Sequence, residues 1–64
     1  MQVLKEDIRG RILTIARQQF EKKGYSKTSM REIAELAGVG VGNIYNYFTG
    51  KDKLFGEVVR PVMH

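Results

Sequence analysis

Sixty-four residues make room for one domain with one small core, and a chain this short buries only about 60% of the surface its unfolded form exposes. There is no cysteine and a single histidine, His64, which excludes disulfides and cysteine-based metal sites as sources of stability. Eleven basic residues stand against seven acidic ones, with a pI near 9.7, a balance that suits a polyanionic partner as well as an ordinary solvated surface. No apolar run approaches the ~20 residues of a membrane span, and the N-terminus alternates charged and apolar residues where a signal peptide would have an apolar core. The expectation is an intracellular protein with no membrane partner.

The first helical pattern covers 4–23. Ile8, Ile12, Ile15, Ala16 and Phe20 recur on one face of a 3.6-residue period, Leu13 widens that stripe, and Arg9, Arg17 and Lys23 lie mostly off it. Glu6 and Asp7 suit the positive end of the helix dipole, and Lys22 and Lys23 suit the negative end. Gly24 is placed to stop the helix in a left-handed conformation. Gly10 is the misfit, at a cost of ~1 kcal/mol relative to alanine in a helix interior. The connector 24–28 follows, with Tyr25 expected to lay its ring on the edge of the core.

A second helix is expected over 29–37. Ser29-Met30-Arg31-Glu32 fits a capping box, in which hydroxyl and carboxylate each satisfy a free backbone N–H. Met30, Ile33, Ala34 and Ala37 form its apolar face. Gly38-Val39-Gly40 then makes a short turn, with Val39 plugging the angle between two helices. Helix, short glycine-containing turn, helix is the signature of a helix-turn-helix. The helix after the turn, over 41–47, anchors itself with Ile44 and Phe48 and carries Val41, Gly42, Asn43, Asn46 and Tyr47 on its other faces. Few charges and several small or amide side chains fit it for contact with something polar and flat. A last helix over 51–59 carries Leu54, Phe55, Val58 and Val59, and Pro61 breaks it. The fold class expected is all-α: a small three- to four-helix bundle with a homeodomain-like helix-turn-helix.

The string Phe20, Lys23-Gly24-Tyr25, Thr28 to Ala34, Ala37-Gly38-Val39, Gly42 to Phe48, Lys51 and Leu54-Phe55 closely resembles the N-terminal domain of TetR-family transcriptional repressors, in order, spacing and residue type. The resemblance covers about 8–59. It implies a sequence-specific DNA-binding domain of a bacterial transcriptional regulator, a repressor acting as a homodimer on a palindromic double-stranded operator. It also implies a separate C-terminal domain that dimerises and binds a small-molecule effector, absent from 1–64, and a cytoplasmic, nucleoid-associated location. Three positions depart from the family pattern. Gly40 stands where the family usually has Ser or Thr, Val41 where a polar or basic residue is frequent, and Gly50 where a polar N-cap is usual.

Recognition helices place N-terminal residues against base edges, which assigns base contacts to Val41, Gly42, Asn43 and Asn46. An Asn can pair bidentately with adenine, and Val41 favours a thymine methyl. Gly42 costs helix stability and offers close backbone approach. Tyr45 and Tyr47 offer phenols to phosphate, a use the resemblance also implies. Lys51 is expected as a phosphate clamp at a helix N-terminus. Thr28 and Ser29 are expected to meet the DNA backbone at the start of the second helix, and Arg31 a phosphate or a guanine, with Lys27 a weaker candidate. No cofactor or metal site is expected.

An enzyme reading fails on residues. The third glycine of a dinucleotide loop beginning at Gly38 would fall at Asn43, and no strand precedes it. Before Gly50-Lys51, Tyr45 occupies the place of the first P-loop glycine. The alternative is a small helical protein-interaction module, offering Tyr45, Tyr47 and the last helix to a partner.

Overall fold

The computed structural model describes the backbone of residues 5–60 and the side chains of residues 7–60. Four helices follow in chain order, α1 (Lys5–Lys23), α2 (Met30–Ala37), α3 (Val41–Ile44) and α4 (Lys51–Val59), and no strand occurs among the described residues. The expected first helical residue at position 4, the side chain of Glu6, and the break at Pro61 lie outside the described residues.

The predicted stripe of α1 becomes the floor of the core. Ile12 and Ala16 are fully buried and Phe20 nearly so, while Ile8, Leu13 and Ile15 pack half-buried at its margin. From α2 come Met30, Ile33, Ala34 and Ala37; Ile44 and Phe48 descend from the segment after the turn, and Leu54 from α4. Full burial of side chains such as Ile12, Ile33, Ile44 and Leu54 is worth about 1.5–3 kcal/mol each. α1 packs against both α2 and α4, and α3 packs chiefly on α2. The orientation of α3 therefore depends on α2 and on the turn between them.

Three helix ends have an identifiable local cause. Gly24 and Gly38 adopt φ of 86° and 75°, the left-handed region that favours glycine, and they stop α1 and α2. Ser29 caps α2 by accepting a bond from the Glu32 N–H at 3.1 Å. The reciprocal half of the predicted capping box is replaced, because the Glu32 carboxylate pairs with the Lys23 ammonium at the end of α1.

The helix expected over 41–47 is shorter than expected. Regular α-helix ends at Ile44, and residues 45–47 continue as a tightened turn. The N–H of Asn46 reaches the Asn43 carbonyl at 2.9 Å, and that of Tyr47 the Ile44 carbonyl at 3.0 Å, both three residues back. Gly42, Asn43 and Asn46 have low helix propensity, so little in this segment holds it to an α-helical pitch.

Phe20, Tyr25 and Phe55 form an aromatic triad. Ring centroids lie 5.7 Å apart for Phe20–Tyr25 and 5.1 Å for each of the two edge-on contacts with Phe55. The ring of Tyr25 thus lies at the edge of the core, as its position in the connector predicts. A second inter-helix tie joins Arg9 to Glu57 of α4 at 3.1 Å, with the Arg9 guanidinium 5.1 Å from the centre of the Phe48 ring.

Candidate nucleic-acid interface

The turn Gly38-Val39-Gly40 carries the chain out of α2 and starts α3 with its N-terminus outward. Val39 is half-buried against the core, as expected of a plug between two helices. Gly40 occupies the N-cap with no side-chain bond; its carbonyl accepts from the Ile44 N–H at 3.0 Å. With Ile44 and Phe48 buried, most of the remaining side chains of this segment are turned outward. Val41, Gly42, Asn43, Tyr45 and Asn46 are all exposed, and Tyr47 is half-buried with part of its surface on the core.

Two of the predicted base-reading residues are already joined. Asn46 Nδ2 donates to Asn43 Oδ1 at 2.8 Å. The bond spans the tightened turn and orders two amide groups on the surface that α3 presents. Asn46 Oδ1, its second N–H and both N–H groups of Asn43 remain as outward donors and acceptors. Between Glu35 and Asp52 the sequence contains no carboxylate, so this face adds no fixed negative charge where a polyanion would lie.

Two of the predicted contact residues bond within the protein. Thr28 is only 2% exposed, and its hydroxyl donates inward to the Gly24 carbonyl at 2.8 Å, with the Gln19 carbonyl 3.2 Å away. Its side chain closes the α1–α2 connector, turned toward the end of α1. Lys51 is also turned inward: its ammonium donates to the carbonyls of Tyr25 at 2.8 Å and Thr28 at 2.9 Å and sits 4.3 Å from the Tyr25 ring centre. An ammonium has three N–H donors, which leaves one for a phosphate. The sequence missed this because carbonyls of the connector become neighbours of α4 only when the bundle closes.

Ser29, Arg31 and Lys27 are exposed as expected, with Ser29 serving also as the α2 cap. The Lys51 side chain reaches from the first residue of α4 to the carbonyl of Thr28, the residue before the α2 cap, and brings its positive charge toward the start of α2. One residue that sequence reasoning passed over also bears on the site. Arg11, on the exposed side of α1, donates from Nη1 to the carbonyl of Ala37, the last residue of α2, at 2.8 Å. Nothing in its spacing marks it out. Among the described residues no group of three or more His, Cys, Asp or Glu is placed to hold a metal ion. Nor is any helix there long and apolar enough to cross a membrane.

A short helix presented by a glycine turn on a compact helical bundle, its outer face amide, phenol and backbone, defines a helix-turn-helix module of the DNA-binding class. The family of bacterial regulatory proteins, tetR family, matches residues 12–58, and the chain belongs to it. The members of this family are DNA-binding transcriptional regulators and not enzymes.

Among curated relatives, the chain is 42% identical over 52 residues to the uncharacterised HTH-type transcriptional regulator YhgD of Bacillus subtilis. It is 43% identical over 53 residues to the HTH-type transcriptional regulator AcrR of Shigella flexneri, and 35% identical over 52 residues to the HTH-type transcriptional repressor KstR2 of Mycobacterium tuberculosis. These matches cover 81%, 83% and 81% of this chain and 27%, 25% and 26% of the respective relatives, so the chain spans about a quarter of their length. No solved structure matches the chain significantly.

Proposed function

We propose that this domain reads the major groove with the segment 41–47, as the DNA-reading head of a transcriptional repressor. The observation that carries the reading is the division of that segment. Ile44 and Phe48 are buried, while Val41, Gly42, Asn43, Tyr45 and Asn46 are exposed in a stretch of chain that carries no carboxylate. Base contact falls to Val41, Asn43 and Asn46, with Gly42 allowing the backbone to come close. Tyr45, the outward edge of Tyr47, Ser29 and Arg31 take the phosphates, and Lys51 contributes charge from behind them.

Residues 1–64 act as one DNA-binding unit in this reading. Two such heads, held in a homodimer, would bind the two halves of a palindromic operator. A small-molecule effector would act through a separate domain, for which the greater length of the relatives leaves room. The location that goes with this role is the cytoplasm, on the nucleoid when bound.

Titration of a labelled duplex at two salt concentrations tests the proposal. Each phosphate neutralised contributes a slope near −0.9 in log affinity against log salt. A single head has no partner to add avidity, so weak binding that falls steeply with salt is the expected result. Absence of duplex binding, together with salt-insensitive binding to a protein partner, would overturn the reading in favour of a protein-interaction module.

A further inference from the structure

The turn that aims α3 contains two glycines, and α3 itself has one helical turn and packs chiefly on α2. Its angle is therefore weakly specified by its own sequence. The end of α2 leaves carbonyls without helical partners. The turn's own N–H groups cover two of them: Gly38 N–H reaches Ala34 and Glu35, and Val39 N–H reaches Ala34 at 2.9 Å. The carbonyl of Ala37, the one nearest the turn, goes to Arg11 at 2.8 Å. The guanidinium also lies against the turn itself, since a Cβ built on Gly38 would stand 3.7 Å from Arg11 Nη1. Its positive charge meets the negative end of the α2 dipole.

We infer that Arg11 is a positioning residue for DNA reading: from α1, outside the helix-turn-helix, it pins the carbonyl at which the α2–α3 turn begins and so fixes the angle of α3. This rests on the groove-reading role proposed above. Phosphate contacts hold a protein on any duplex, whereas base contacts depend on the pose of the reading helix. Loosening the turn therefore costs discrimination between sequences more than it costs general affinity.

The test compares the 64-residue chain with Arg11→Met, which keeps most of the stem and loses the donors, and Arg11→Lys, which keeps a charged donor. The probes are a duplex selected from a random pool by the wild-type chain and a scrambled duplex of the same composition, each titrated at two salt concentrations. Arg11→Met is expected to weaken binding to the selected duplex about tenfold, comparable with one mismatched base pair, and to leave binding to the scrambled duplex within about twofold. The salt slope stays at the wild-type value, and Arg11→Lys recovers part of the discrimination. Gly56→Ala, in exposed α4 backbone with nothing within 4 Å of the added Cβ, supplies a stabilised background in which the loss of discrimination persists.

Three results overturn the inference alone: discrimination unchanged in Arg11→Met, discrimination restored by Gly56→Ala, or equal weakening on both duplexes with the slope reduced by about 0.9, the mark of a direct phosphate contact. A wild-type chain that fails to bind any duplex overturns the DNA-reading role itself, and this inference with it.

Discussion

The ammonium of Lys51 holds Tyr25 at two points, donating to its carbonyl at 2.8 Å and lying 4.3 Å from the centre of its ring. With the further bond to the Thr28 carbonyl, one side chain from α4 ties down the connector between α1 and α2. Charged donors to carbonyls are worth more than neutral ones, but half-exposure discounts them. Lys51→Met is expected to lower unfolding stability by about 1–2 kcal/mol, measured by urea denaturation. Its effect on the salt slope of DNA binding should be smaller than the ~0.9 of a full phosphate contact. A full unit of slope lost with stability intact would restore Lys51 to the clamp role.

Thr28 and Ser29, adjacent in sequence, separate into two structural roles. Thr28→Val keeps the shape and removes the hydroxyl that serves the Gly24 carbonyl, at an expected cost of about 1–2 kcal/mol. Ser29→Ala removes the cap on the Glu32 N–H and should cost about 1 kcal/mol. Thermal melts give both values. If Thr28→Val melts like the parent chain while losing DNA affinity, the inward assignment of Thr28 is wrong.

The glycines divide by backbone conformation. Gly10 lies in α1 with nothing within 4 Å of an added Cβ, so Gly10→Ala should stabilise the fold by about 0.5–1 kcal/mol. Gly38→Ala meets the opposite sign. At φ 75° it forces an L-residue into the left-handed region, at a cost of about 1–2 kcal/mol. For a domain of this size, 1 kcal/mol corresponds to a shift of about 4–8 °C in Tm, which differential scanning fluorimetry resolves.

Gly42 separates stability from function. It is exposed, and a Cβ there meets nothing within 4 Å in the free protein. Gly42→Ala should therefore stabilise the fold slightly, by up to about 1 kcal/mol. If its use is close backbone approach to DNA, the same methyl should weaken duplex binding several-fold. A variant both more stable and an equal or better binder would remove Gly42 from the interface.

The sequence by itself determined the helices, their order and the core. Ile12, Ala16, Phe20, Ile33, Ala34, Ile44, Phe48 and Leu54 follow from helical periodicity, and the stops at Gly24 and Gly38 follow from glycine's access to positive φ. Those signals are local, repeated every three or four residues, and survive without any knowledge of neighbours. The exposed set Val41, Gly42, Asn43, Tyr45 and Asn46 was legible for the same reason, since it is what remains once Ile44 and Phe48 are assigned inward. The pitch after Ile44 was not, because no local pattern distinguishes a short helix from one that tightens into a turn.

Only the tertiary structure decided what the long polar side chains do. Lys51, Arg11 and Arg9 reach carbonyls, a ring and a carboxylate that lie 23 to 48 residues away along the chain. Thr28, one residue before an exposed cap, closes inward over the end of α1. A flexible cation carries no periodicity to betray its partner, and its bonds exist only after α1, α2 and α4 have packed.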